Sequence, residues 1–148
     1  MTTKPLYETD AYTWALRQSD ALRRRAVEEI DWDNVAEEIE SVGKTEAREL
    51  ESRLVVLLAH LLKWRFQPAR RGNSWRATIV EQRARLDLHL QENPGLKARR
   101  DEILGQAYRI ARAIASRETD LPLETFPETN PFTWAQALDE AFWPESEA

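Results

Sequence analysis

The chain reads as an all-α protein: a single-domain bundle of five to six helices around a buried central helix, completed by an extended proline-containing crossover and a short last helix. Three observations predict this class. Apolar residues recur at spacings of three and four through most of the chain, which holds only four glycines in 148 residues. Residues 54–62 read Leu-Val-Val-Leu-Leu-Ala-His-Leu-Leu, an apolar run broken once, at His60; a helix apolar nearly all round belongs at the centre of a bundle. Prolines and cap residues fall between the periodic stretches rather than inside them.

The first helix is expected from Thr9-Asp10, both cap residues, to about Arg25, with Ala11, Trp14, Ala15, Leu22 and Ala26 on one stripe. A second, short helix is expected from the cap residue Asp33 to Gly43, which is placed to serve as a left-handed stop. Its buried face is Val35, Ile39 and Val42, with Glu38 at the edge and Glu37 pointing away. The central helix should run from Lys44 or Thr45 to Phe66 and end before Pro68. Leu50, Leu54, Leu57, Leu58, Leu61 and Leu62 form its apolar arc, and Glu46, Glu49, Arg53, His60, Lys63 and Gln67 line the opposite stripe.

Asn73 or Ser74 caps a fourth helix reaching Glu92, with Trp75, Ile79, Leu86 and Leu90 facing inward. Asn93-Pro94, a cap followed by a first-turn proline, opens a fifth helix whose stripe is Leu96, Ile103, Ala107, Ile110, Ala111 and Ile114. From Thr119 to Pro131 the prolines at 122, 127 and 131 forbid a regular helix, and Leu121, Leu123 and Phe126 require burial, so this stretch is an ordered crossover. A last helix runs from Thr133 to about Ala141 and gives way to Phe142-Trp143-Pro144.

The length suits one domain, 1–148, large enough to bury a core without staples. A composition of 42% hydrophobic and 32% charged residues is that of a soluble folded protein. The absence of cysteine removes disulfides, thiolate nucleophiles and zinc-thiolate sites. The N-terminal residues Met1 to Glu8 contain no apolar stretch for a secretion signal, so a cytoplasmic location is expected. No membrane association is expected, because the apolar run at 54–62 is far short of the ~20 residues needed to cross a bilayer.

The net charge of −5 conceals segregation. Ala26 to Gly43 holds seven acids and no base; Lys63 to Arg85 holds seven bases and one acid; Glu118 to the end holds eight acids and no base. Acidic and basic elements of similar number can pair within one fold or form a docking surface, and pairing is the favoured reading.

An ordered set of motifs runs through the chain: Asp31-Trp32, Ala36-Glu37-Glu38-Ile39-Glu40-Ser41, Gly43, His60-Leu61-Leu62-Lys63-Trp64, Gln67-Pro68, Ser74-Trp75, Glu81-Gln82-Arg83, Glu92-Asn93-Pro94 and Phe142-Trp143-Pro144. In these the chain resembles the bacterial family called domain of unknown function 29, from Leu6-Tyr7 to Pro144. The resemblance implies a small, all-helical protein and carries no catalytic residues.

Two polar constellations are candidates for chemistry. Glu38, Arg53, His60, Glu81 and Arg83 can converge if the neighbouring helices pack beside the polar stripe of the central helix. A carboxylate–imidazole pair serves acid–base catalysis, and equally serves as a clasp between helices. The clasp is favoured, because no nucleophile accompanies the pair. No metal or other cofactor is expected: the residues three before His60 and His89 are Leu57 and Leu86, so the Glu-x-x-His pattern of di-iron bundles is absent. The second constellation is Arg65, Arg70, Arg71, Trp75 and Arg76, with Trp64 and Phe66, where cations and aromatics alternate around a helix corner. Such a segment can grip phosphates and stack bases, and the aromatics can equally be core.

The five aromatics Phe126, Phe132, Trp134, Phe142 and Trp143 make the acidic C-terminal arm an internal clasp or a partner-binding segment, with the clasp favoured. With no diagnostic catalytic motif present, the leading expectation is a non-enzymatic protein that associates with itself or with another protein. An enzyme or ligand-binding protein centred on His60 comes second and nucleic-acid or other polyanion binding third.

Overall fold

The computed structural model describes residues 5–145. Met1–Lys4, part of the stretch read for a secretion signal, and the last three residues lie outside the described residues. The described residues contain helices and no strand, as the periodicity predicts. No helix among them is long and apolar enough to cross a membrane. The chain divides into two compact units, one up to Thr45 and one from Glu46 onward.

In the first unit, α1 (Leu6–Thr9) is a single turn and α2 (Ala11–Arg24) begins at Asp10, whose carboxylate accepts from the Thr13 N–H at 3.0 Å. Arg25 ends α2 in the left-handed region at φ 58°, and its N–H satisfies the carbonyls of Ala21 and Leu22. A 3₁₀ turn at Val27–Glu29 then reverses the chain into α3 (Trp32–Phe66). The reversal is held by Trp14 and Gln18: the indole N–H donates to Asp31, and the Gln18 amide bonds both the Glu29 carbonyl and the Asp31 N–H.

The helix α3 differs from the expectation of two helices parted at Gly43. It runs unbroken for 35 residues, and no glycine among the described residues has a positive φ. Ile39 and Leu50 lie about three turns apart on one face, with Leu54 a turn further on, so a single helix satisfies both apolar patterns. A Lys44–Glu40 pair spans Gly43 at the favoured four-residue spacing. The glycine weakens the helix by about 1 kcal/mol without stopping it.

The second unit carries the core. Leu50, Leu54, Leu57, Leu58, Leu61 and Leu62 of α3 are fully buried, with Ile79, Leu86 and Leu90 of α4 (Asn73–Glu92) and Ile103, Ala107 and Ala111 of α5 (Arg100–Thr119). The turn between α3 and α4 is a 3₁₀ segment at Pro68–Arg70. The fifth helix begins six residues later than predicted, because Pro94–Arg99 is a 3₁₀ helix; Leu96 packs on the core from within it. Ile110 was expected inside and is 46% exposed, and Ile114 is only half-buried. Tyr108 takes the inward position instead and donates to the Pro127 carbonyl.

The crossover is ordered, with Phe126 buried against Phe66, whereas Leu123 is exposed on a 3₁₀ turn. The last helix, α6 (Trp134–Leu138), is shorter than predicted and opens with a capping box between Thr133 and Gln136. It packs on α4 and α5. Phe132, Phe142 and Trp143 pack on the core, with Trp143 against Trp64 at 4.7 Å. The C-terminal arm is thus an internal clasp.

Candidate functional site

The polar residues predicted to converge each bond elsewhere. Glu38 belongs to the first unit and accepts from the Tyr7 hydroxyl, which raises the Tyr7 pKa to about 12. Arg53 donates twice to Glu49, at 2.8 and 3.1 Å, and holds that carboxyl below the usual range. Glu81 accepts from Arg85, at 3.1 Å. Arg83 is 2% exposed and donates to the carbonyls of Ala137 and Gln136, tying α4 to α6.

His60 is partly buried, and its Nδ1–H donates to the Val56 carbonyl at 2.8 Å. Desolvation pushes its pKa below the usual histidine value, and the Lys63 ammonium adds to this against the opposing pull of Glu118. A neutral imidazole with a committed Nδ1 is a helix-bound residue. Its neighbour Lys63 is the more consequential group: 6% exposed, ion-paired with Glu118 of α5 and 5.6 Å from the centre of the Trp75 ring.

The basic segment does not present one open face. Arg65 lies over Phe66, and Arg70 sits exposed on the 3₁₀ turn. Trp75 is half-buried against the core beneath Lys63 and so is not a stacking platform. Arg71 and Arg76 do share a hollow of about 420 Å³ with Trp64, Gly72 and Asn73. Their guanidiniums lie within 5.1 Å of the Trp64 ring, and Arg76 is also 4.9 Å from Trp143. Arg71 donates to the carbonyls of Trp64 and Pro144. The expected partners of these arginines were carboxylates. Arg71 and Arg83 bind backbone carbonyls instead: Trp64 and Ala137 lie in the last turns of α3 and α6, where carbonyls run out of helical N–H partners.

A polar cluster not anticipated from the sequence forms where α4 meets α3. His89, 6% exposed, donates from Nε2 to the Glu46 carbonyl at 2.9 Å. Its Nδ1 lies 3.6 Å from a Glu49 carboxylate oxygen, and Asn93 reaches Glu46 at 3.4 Å. Among the described residues, Glu46, Glu49 and His89 are the set whose ligand atoms approach closely enough to share a metal ion. Arg53 already neutralises Glu49 and the Glu46 carbonyl holds His89, so the cluster acts as a clasp between two helices. The signal was available: an antiparallel pair turning at 67–72 brings residues whose numbers sum to about 135–138 together, as Lys63 with Trp75 and Glu46 with His89.

The first unit holds the least satisfied surface. Of the eleven exposed large hydrophobics among the described residues, seven lie there: Tyr12, Leu16, Leu22, Val27, Trp32, Ile39 and Val42. Ile39 and Val42, expected to be buried, are 67% and 63% exposed. The stripe expected on the first helix is also largely uncovered, with only Trp14 and Ala21 of α2 buried. Within this unit the apolar arcs that α2 and α3 turn away from each other have no second layer over them.

Between the two helices runs an open groove of about 270 Å³, walled by Trp14, Ala15 and Leu22 on α2 and by Val35, Ile39 and Val42 on α3. Gln18, Ser19 and Glu38 supply its polar lining. Leu22 also lines a second hollow of about 490 Å³, with Val27, Ile30 and Trp32 and the arginines 23 and 25 at its margin. The apolar surface is therefore continuous around Leu22.

No curated protein and no solved structure matches the chain. The family model described as Domain of unknown function DUF29 matches residues 6–143, nearly the whole length. That span includes both units, the groove, the His89 clasp and the C-terminal arm to Trp143, and the chain belongs to this family.

Proposed function

We propose that this protein is an association module whose N-terminal hairpin receives an amphipathic helix of a protein partner. One observation carries the reading: the apolar stripe Val35–Ile39–Val42 is built at helical spacing, and its Ile39 and Val42, with Leu22 across the groove, are left exposed. Isolated exposed hydrophobics are ordinary, whereas a continuous, grooved patch marks an interaction site. A helix laid in the groove covers the stripe at i, i+4 and i+7, and the polar margin at Gln18 and Glu38 orients it.

The placement of the other candidates favours the same conclusion. Arg53, His60, Glu81 and Arg83 serve as bonds within and between helices. Arg71 and Arg76 are occupied by aromatic rings and carbonyl oxygens. The test is the size of the tagged chain in extracts of its native host. A complex larger than the monomer is expected, lost on Ile39→Glu and retained on Leu88→Glu, which alters an equally exposed leucine of the second unit. A wild-type chain that runs as a monomer, or a complex indifferent to Ile39→Glu, contradicts the reading.

A further inference from the structure

We propose that the clasp of Glu46, Glu49 and His89 binds a divalent metal ion of the zinc type, with Nδ1 of His89 and one carboxylate oxygen of each glutamate as its protein ligands. All three residues belong to the second unit, so the site stands or falls independently of the N-terminal groove.

The bonds of His89 fix its proton. Nε2 donates to the Glu46 carbonyl at 2.9 Å, and a neutral ring with its proton there carries a lone pair on Nδ1. Metal-ligating histidines are held in this way, one nitrogen tied to an oxygen and the other presented. Nδ1 has no hydrogen-bond partner among the described residues, although the side chain is buried. What faces it is Oε2 of Glu49, at 3.6 Å. Two acceptors this close repel each other unless a cation joins them.

The distance selects the cation. A proton alone fits poorly, because 3.6 Å is well beyond the ~2.7–2.9 Å of a charge-assisted N–H···O bond. A water ~2.8 Å from both atoms would have to donate its two protons across only about 80°. A metal ion ~2.1 Å from both subtends about 120°, close to a tetrahedral angle. Octahedral Mg²⁺ at the same bond length needs ~3.0 Å between neighbouring ligands, and Ca²⁺ takes oxygen rather than imidazole.

The surroundings prepare the same ion. Arg53 directs both of its bonds to Oε1 of Glu49, at 2.8 and 3.1 Å, which orients the carboxylate and leaves Oε2 to His89. Glu46 lies one turn back on the same face of α3. One oxygen of each carboxylate and one nitrogen of His89 lie within 4.8 Å of one another. Ligands of one ion stand at most ~4.2 Å apart, so a shift of ~1 Å by the part-exposed glutamates completes the set. His89 sits in the last turn of α4, where the negative end of the helix dipole favours a cation. Three protein ligands leave the fourth position to water.

Calorimetric titration of the full chain with Zn²⁺ tests this. One ion per chain is expected, with half-saturation below ~50 µM. Glu46→Gln and Glu49→Gln keep the side-chain volumes and should each weaken binding more than ~10-fold, the least that loss of even an outer partner costs. Glu102→Gln, at an exposed glutamate of α5, should leave it unchanged. Far-UV circular dichroism should show all three variants folded, since none of the three side chains is buried. Mg²⁺ in ~100-fold excess should not compete. In the wild-type chain, NMR of the ring nitrogens should show Zn²⁺ moving the Nδ1 signal of His89 while Nε2 keeps its proton. No saturable binding up to ~500 µM Zn²⁺ overturns the proposal. So does binding that survives both site variants, competition by Mg²⁺, or a bound ion that leaves Nδ1 unmoved.

Discussion

Removing the carboxylate of Glu118 should destabilise the protein far more than removing the ammonium it neutralises. Lys63 has a side chain 7% exposed, packed over Trp75 and paired with Glu118, whose own side chain is 42% exposed. In Glu118→Ala the ammonium stays in place, desolvated and without a counter-charge. Breaking a fully buried pair in this way costs about 3–5 kcal/mol, and the solvent that reaches Glu118 reduces the expected loss to about 2 kcal/mol. In Lys63→Met the stem is replaced by a side chain of similar length that keeps the contact with Trp75, and the orphaned carboxylate turns to water. That change should cost under about 1 kcal/mol. The double variant should match Lys63→Met alone, giving a coupling of about 2 kcal/mol, the whole of the Glu118→Ala loss.

The pH dependence has a definite sign. Glu118 has a native pKa below the usual carboxylate value, chiefly through the Lys63 hydrogen bond. Its contribution is therefore complete above the unfolded pKa of about 4.3 and is lost as pH falls from there through the lower native value. Urea unfolding at pH 7 and at pH 3, followed by circular dichroism, reads both effects. Equal losses for the two single variants, or additivity in the double, would refute the account of Lys63 as a buried cation held by one partner.

Further outcomes follow from the same structure. Gly43→Ala should raise stability by about 0.5–1 kcal/mol in urea unfolding, since Gly43 is mid-helix with no atom within 4 Å of an added Cβ; a loss would restore the left-handed stop. Leu58→Ala, at a fully buried core position, should cost about 3–5 kcal/mol by the same measurement. His60 should titrate by NMR with a midpoint below the ordinary histidine value and carry its proton on Nδ1 when neutral. Because that native pKa is depressed, His60 favours folding above about pH 6.5, and the gain fades as pH falls through the native value.

Helix content and the core were legible because both are written in local spacing. Leu54, Leu57, Leu58 and Leu61 recur at the helical period, and their burial followed. What failed were inferences from single residues. Gly43 predicts a stop by its intrinsic preference, which the in-phase apolar residues on either side override. Ile39 and Val42 are expected in the core because apolar stripes usually lie there, but a stripe marks one face of a helix without saying what lies against it. Spacing could not say that the cover is absent from the chain's own α2.

The polar sites were harder for a different reason. A long side chain reaches whichever partner packing brings near, and the partners of Arg71 and Arg83 are backbone carbonyls, to which the residue type contributes nothing. His89 was within reach of simple reasoning, since the α3–α4 turn fixes which residues face each other. The groove needed the fold itself, because it is made by what α2 leaves uncovered.

The central claim is that the uncovered stripe of the N-terminal hairpin is where this protein meets another chain. A photo-crosslinking amino acid placed at residue 39, and in parallel at residue 88, tests it inside the native host. The account predicts discrete protein adducts from residue 39 and none from residue 88, although both positions are exposed. Equal labelling from the two positions, or no adduct from residue 39, would contradict it.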